Sequence, residues 1–409
     1  MTPLSNEGPA DGPNLPRRTA AAKLLSLAAT FCCALPTGQA RAHATDAHPP
    51  PPAQAAERAA LLQAAQTALS QGQSRVALAH LERAALMSHD ADTEMLMVMA
   101  LLQAGEFRNA LNFASHTAGA HKDEPEALAL YACLQALSGQ PAFAARLVDA
   151  GLQRQAGLPA LLAVQPLVQA LAGAAPANTS STWTGPGPWP FGIQAPAHAR
   201  VQARGTGLLL NKGQHALLPL QPSPVFWLRN GLGEMTEAQP DTTADFAALN
   251  DALAALGLCI APLSPALKLP AGLAALRCAP RSAFAGSPVA ALTYAPVPQA
   301  QPAWPAMQLG FMGRGDASAG QAVLDRALPF AATSGPVFDP AGRWLGFVVP
   351  TASSEPGRGA TWVTQSVLTP MLSALLGPLP VDRQGVAQPS DQLYESLLPL
   401  TLQIVSAEA

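Results

Sequence analysis

The sequence predicts a multidomain chain in which an all-α array of helical repeats is followed by an all-β region. Three observations carry this. A unit of 33–34 residues recurs between residues 56 and 172. Residues 173–196 hold no charged side chain and are rich in Pro, Gly, Ser and Thr, the composition of a linker. From about residue 197 the apolar segments shorten and Pro/Gly punctuation becomes frequent, the pattern of short strands. The length of 409 residues accommodates two to three domains. A chain 49% hydrophobic and 12% charged, with formal net charge −3, offers nothing that recruits nucleic acid or an anionic membrane.

The first element reads as a secretory signal over residues 1–44. Arg17, Arg18 and Lys23 supply positive charge, Leu24 to Leu35 form an apolar stretch, and Ala40-Arg41-Ala42 or Ala42-His43-Ala44 fits the small-x-small cleavage rule. Twelve apolar residues are too few to span a bilayer, so no transmembrane segment is expected in the mature chain. The Arg17-Arg18 pair is followed by Thr-Ala-Ala-Ala-Lys rather than a bulky apolar pair, which leaves the twin-arginine route secondary. The expected location is periplasmic or secreted. Residues 45–55 form a proline-rich spacer.

In the array over 56–172, Gly72, Gly105 and Gly139 sit in triplets 33 and 34 residues apart. Ala77, Ala110 and Ala144 follow each Gly by five residues, and Ala84, Thr117 and Gly151, all small, come seven further on. A turn Gly ends one helix cheaply, and small residues on the next let paired helices approach closely. Leu61, Ala64, Ala65, Ala68 and Leu69 have the spacing of one helix face. These offsets resemble the tetratricopeptide repeat; the alternative is an alanine-rich bundle. The resemblance implies antiparallel helices turning at the three glycines, a capping helix over 157–172, and a peptide or protein ligand on the concave face.

The linker 173–196 contains Trp183 and Trp189, which suit a segment pinned to a neighbouring domain. After it, residues 331–349 read AATSGPVFDPAGRWLGFVV. This resembles the nucleophile segment of the trypsin-like serine peptidases, roughly Gly-Asp/Asn-Ser-Gly-Gly-Pro-Val-Phe-Asp, a Gly turn, then Val-Gly-Val-Val. Gly335, Pro336, Val337, Phe338, Asp339, Gly342, Gly346, Phe347 and Val348 keep the tail of that pattern. Gly205-Thr206-Gly207 before Leu208 to Leu210 resembles the family's opening strand, with a turn at Lys212-Gly213 and HALLPL returning. Phe284 to Tyr294 resembles its middle segment, and Ala360 to Thr364 with SVLTPMLSALL its last strand and helix. The resemblance covers 197–377 and implies two packed six-stranded barrels with a helix around 365–376.

The same resemblance places the catalytic positions. Peptidase chemistry of this type needs a nucleophile, an imidazole base, an orienting carboxylate and two N–H groups for the oxyanion. Gln221 falls at the base position, Gly257 at the carboxylate, Thr333 at the nucleophile, and Ala331 replaces the Gly two residues before it. Gln cannot act as a base, and an internal Thr lacks the N-terminal amine that usually activates threonine nucleophiles. After residue 196 only His198 and His215 remain, and His215 lies six residues too early. The chain therefore reads as a catalytically dead peptidase domain. If activity survives, Thr333 or Ser334 carries it. No cofactor and no metal ligand set is expected, because no Cys/His pair has metal spacing.

After the signal three cysteines remain. Cys133 lies on a helical apolar face and reads as core, whereas Cys259 and Cys278 could pair across a hairpin or stay as two buried thiols. The last segment, 378–409, reads as a C-terminal extension. Ser390-Asp391 suits a helix start before LYESLLPL, and TLQIV alternates like a half-buried strand. Tyr394, Pro399 and Ile404 resemble the approach segment that precedes many trypsin-like barrels, so the tail could pair with a barrel edge or be the stub of a second copy. The function expected is an exported, non-catalytic protein-binding or scaffold protein of the cell envelope. The alternative is an active serine or threonine endopeptidase with a rearranged site.

Overall fold

The computed structural model describes residues 52–173, 201–220, 226–238, 243–267, 269, 276–294, 304–314, 320–325, 328, 334–349 and 360–407. The signal segment, Trp183, Trp189, His198, Gln221, Ala331 and Thr333 lie outside these residues.

Seven helices open the described chain: α1 (Pro52–Ser70), α2 (Ser74–Ala85), α3 (Ala91–Gln103), α4 (Phe107–Ala120), α5 (Pro125–Leu137), α6 (Pro141–Arg154) and α7 (Pro159–Leu171). Gly72, Gly105 and Gly139 have φ of 73°, 79° and 89°. Each lets the chain leave a helix through the same closure: Gln73 N–H donates to Ala68 O, Glu106 N–H to Leu101 O, and Gln140 N–H to Gln135 O, at 2.8–2.9 Å. Ala77, Ala110, Ala144 and Ala84 are fully buried, and Thr117 is 1% exposed. Gly151 shows why size matters there: a Cβ on it would stand 2.5 Å from Leu161 Cδ1. The spacer 45–55 needs correcting, because α1 starts inside it at Pro52. Proline is well suited to a first helical position, and the Ala/Gln run after it favours helix.

The rest of the chain is mostly strand: β1 (Val201–Leu210), β2 (His215–Pro219), β3 (Phe226–Asn230), β4 (Met235–Ala238), β5 (Leu258–Ser264), β6 (Pro288–Thr293), β7 (Ala306–Phe311), β8 (Gln321–Val323), β9 (Gly335–Phe338), β10 (Trp344–Val348), β11 (Thr361–Thr364) and β12 (Thr401–Ala407). Helix α8 (Ala244–Ala254) precedes β5, α9 (Gln365–Leu376) follows β11, and α10 (Ser390–Leu397) precedes β12. One sheet is a closed barrel in the order β1-β12-β3-β4-β5-β2; the other is six-stranded in the order β7-β6-β9-β10-β11-β8. An isolated bridge between Met312 and Leu324 links the two ends of the second sheet. The chain is thus a helical array followed by a trypsin-like double barrel.

The strand content of 197–377 differs from expectation. It supplies only five strands of the first barrel, and the sixth is β12, from the segment expected as an extension. Without β12 the five-stranded arc would leave β1 and β3 with unpaired edges. β12 satisfies both, pairing Val201 with Ala407 through Leu208 with Thr401 on one side and Leu402–Val405 with Asn230–Trp227 on the other. Buried Gln403 accepts from Arg229 Nε at 3.0 Å, and also from Nη2 of the same guanidinium. Burial pushes Arg229 down to about 10, while Tyr294 acts in the opposite direction.

Helix α10 joins the array to the sheets. The Tyr394 ring meets Phe107 of α4 at 4.5 Å between centroids, and its hydroxyl donates to Pro305 O at 2.6 Å. Glu395 accepts from the Arg108 N–H at 2.7 Å, and Asp391 lies 3.2 Å from Arg108 Nε. Two of the turn glycines face the β region: a Cβ on Gly139 would meet Met307 and Leu309 of β7, and one on Gly105 would meet Leu232 between β3 and β4. One buried apolar cluster runs from Val98 and Phe107 through Met307 to Trp344 and Leu400, so array and sheets share a core. Cys133 and Cys278 are free thiols; Cys259 lies on β5 with its Sγ 3.7 Å from Pro219 O, and the Cys278 backbone bridges to Trp344 and Val381. Burial pushes the Cys133 thiol up.

Candidate functional site

Ser334, the one described hydroxyl of the expected nucleophile pair, lies where β1 meets the ends of β6 and β9. Ser334 enters β9 and is 1% exposed. Its Oγ accepts from the Thr206 N–H and donates to the Thr206 carbonyl, each at 3.1 Å. Thr206 Oγ1 in turn accepts the Tyr294 N–H at 2.7 Å, just past β6. One residue of the first barrel is therefore latched to two segments of the second sheet.

Gly205 permits that approach: a Cβ on it would lie 3.0 Å from Ser334 Oγ. A Cβ on Gly207 would instead meet Leu218 Cδ2 at 2.5 Å within the first barrel. On the other side, a Cβ on Gly335 would come within 2.0 Å of Leu292 O, so β9 pairs with β6 at a distance only glycine allows. Asp339 is accounted for by its turn. It accepts from the Ala341 and Arg343 amides at 2.9 and 3.0 Å and pairs with the Arg343 guanidinium at 2.6 Å.

The carboxylate position meets the last described residue before the base position. The Leu220 N–H, one residue before Gln221, donates to Gly257 O at 2.8 Å. Gly257 has φ +74° and nothing within 4 Å of an added Cβ. It closes the α8–β5 turn in a left-handed conformation that a side chain makes costly. Asp245 and Asp251, the nearest acids in sequence, are exposed on α8. His215 starts β2, stacks on Phe246 at 5.5 Å, and has Nδ1 3.3 Å from Asn211 Nδ2. It stands four residues before Pro219 on the strand, roughly 13 Å away at an extended rise. Among the described residues, Ser334 Oγ thus hydrogen-bonds Thr206 and no imidazole.

Ser334 and Pro219, the residue before Leu220, both lie against Gly205, where an added Cβ would stand 3.0 Å from Ser334 Oγ and 3.6 Å from Pro219 Cγ, whereas His215 opens β2 at its other end. Sequence reasoning missed Thr206 as the latch; the Gly-Thr-Gly triplet was the available signal, since flanking glycines mark close backbone approach. Among the described residues, the grouping of three metal-ligating side chains, His89, Glu94 and His116, lies in the helical array and not at this site. Also among the described residues, no helix is long and apolar enough to cross a membrane.

No family model matches the chain, and no curated protein matches it. Among solved structures it is similar to kallikrein-related peptidase 10, at 12% identity and a TM-score of 0.33, covering 43% of this chain and 94% of that one. It is also similar to Rv3671c from M. tuberculosis H37Rv in an inactive form, at 16% identity and a TM-score of 0.28, covering 45% and 89%. The double barrel rests on the strand pairings themselves.

Proposed function

We propose that the chain is an exported, non-catalytic protein-binding or scaffold protein of the cell envelope. In this reading tetratricopeptide-like helices hold a peptide or protein ligand, and the trypsin-like double barrel serves as a rigid partner that has lost hydrolysis. The observation that carries the proposal is the state of Ser334: its hydroxyl proton goes to the Thr206 carbonyl and its lone pair takes the Thr206 amide. A hydroxyl attacks a carbonyl only when a base can take its proton, and the hydrogen bond here leads to a backbone oxygen with no basicity to offer. Gly257 at the carboxylate position and the placement of His215 at the far end of β2 support the same reading.

The test is active-site labelling. Wild type, Thr333→Ala and Ser334→Ala are treated with a fluorophosphonate probe and assayed on unfolded protein substrates. No labelling and no cleavage by the wild type is the expected result. Labelling or cleavage that disappears in either variant would establish the alternative, an active serine or threonine endopeptidase. Export is tested separately: the mature chain recovered from cell fractions should begin just after Ala42 or Ala44, outside the cytoplasm.

A further inference from the structure

The helical array contains a histidine cluster that the proposed function does not use. Helix α3 starts at Ala91 and the adjoining α4 ends at Ala120, which places the entry of one beside the exit of the other. His89 precedes α3, Glu94 lies in its first turn, His116 lies in the last turns of α4, and His121 is its C-cap with φ −110° and ψ 65°. The Glu94 carboxylate is 4% exposed and stands at the centre. Its Oε1 is 3.0 Å from His89 Nε2 and 3.9 Å from His116 Nε2, and its Oε2 is 3.4 Å from His121 Nε2. The ligand atoms of His89, Glu94 and His116 all lie within 4.8 Å of one another. The His89 ring stacks on His121 at 5.4 Å and meets His116 edge-on at 5.9 Å.

We propose that His89, Glu94, His116 and His121 form a closed site for a divalent transition-metal ion of the zinc class, clamping the start of α3 to the end of α4. Three imidazoles and one carboxylate make a four-ligand set of the kind zinc takes tetrahedrally. A second observation points to a ligand at this place. Glu94 Oε2 and His121 Nε2 are buried, face each other, and make no hydrogen bond. A cation between them would satisfy both, whereas a buried carboxylate oxygen that accepts no hydrogen bond is costly. Coordination at bonds of about 2.0–2.2 Å requires the ligand atoms to draw closer than they stand. The His89 and His116 side chains, 65% and 51% exposed, have the freedom to do so. The loop carrying His89 is held in advance: Arg58 Nη2 lies 3.0 Å from Asp90 and donates to Thr93 Oγ1 at 2.8 Å, and it also pairs with Asp92. With four protein ligands the site keeps no open position, so the ion would be structural rather than catalytic. This replaces the sequence expectation of no metal: the ligands are spread over 33 residues, from 89 to 121, on two helix ends, where no linear motif marks them.

The experiment uses the full purified chain, stripped with a chelator and titrated with zinc chloride by calorimetry. Cobalt(II) substitution is followed by visible absorption. The expected outcome is one tight zinc per chain with sub-micromolar affinity, intense visible cobalt bands of four-coordinate geometry, and a higher unfolding midpoint with zinc. The double variant His89→Ala/His116→Ala should weaken zinc by at least about 100-fold and abolish the midpoint shift. Its metal-free circular dichroism should match wild type, because both rings are largely exposed. Glu94→Gln, which preserves shape, should weaken binding as well. Zinc affinity no better than about 100 μM in the wild type would overturn the proposal, as would tight binding undiminished in the double variant.

Discussion

The two sheets trace the same circuit, and the difference between them lies in where the circuit begins. In the second, β6 pairs with β7, the Met312–Leu324 bridge leads to β8, and β8, β11, β10 and β9 return to β6. In the first, β12 pairs with β1, β1 with β2, and β5, β4 and β3 return to β12. The two match strand for strand if β12 is counted ahead of β1. β12 is then the counterpart of β6, the opening strand of its barrel carried at the other end of the chain. The second sheet is contiguous from 288 to 364, while the first draws on 201–264 and 401–407. The circuit is therefore specified by which edges pair and not by the order in which strands are made.

The largest expected effect breaks this equivalence outright. A chain stopped after Leu397 should lose amide protection across β1 and β3 while β6–β11 keep theirs, measured by hydrogen exchange. A peptide covering 398–407 should restore it by strand addition. Protected β1 and β3 in the shortened chain would end the idea that β12 closes the barrel. Next come the close-approach glycines of the two sheets. Gly335→Ala drives a Cβ against the Leu292 carbonyl and should cost about 4 kcal/mol or more by chemical denaturation. Gly207→Ala meets the movable Leu218 side chain at 2.5 Å and the Leu217 carbonyl only at 3.3 Å, and should cost about 1–3 kcal/mol.

Smaller again is the latch between the sheets. Ser334→Ala removes both bonds to Thr206 and should cost about 1–3 kcal/mol, with no change in any peptidase assay. The least effect is expected from Glu395, whose contact with Arg108 ties α10 to the array. Burial pushes its carboxyl up, the Arg108 amide and charge pull it down, and Glu106 and Asp391 push it up again. A carboxyl raised in the folded state gives its full stability below the ordinary carboxylate range and loses it as pH rises through the folded value. Glu395→Gln should therefore gain on wild type as pH is raised from acid to neutral, read from unfolding midpoints across that window.

Much of this fold is visible in the residues. The array was legible because close helix crossings demand small side chains at fixed offsets, as at Ala77, Ala110 and Ala144, and each turn needs a left-handed residue, as at Gly72. β9 and β10 were legible because Gly335 and Gly346 are irreplaceable there: an added Cβ would come within 2.0 and 2.2 Å of backbone oxygens. The partner of β1 was not legible as a certainty. Tyr394, Pro399 and Ile404 suggested a barrel-edge strand, but pairing across 206 residues leaves no mark at either end beyond an alternating pattern. Helix α8 was also missed. It is fixed to β5 by Asn250, which accepts from the Ile260 N–H at 2.7 Å and donates to its carbonyl at 3.1 Å, contacts that exist only once the fold is built. Of the candidate site, the position of Ser334 followed from its motif, whereas its engagement with Thr206 depends on how two sheets meet.

The pairing of Val201 with Ala407 also sets a schedule. At synthesis rates of about 5–20 residues per second, β1 emerges roughly 10–40 s before the strand that covers its edge. In the last part of that interval, once β11 has emerged, the second sheet has all its strands, while the first still exposes two open edges of the kind that invite foreign strands. The barrel begun first is completed last, so the period of greatest risk of misassembly for this chain falls after most of it has already been made.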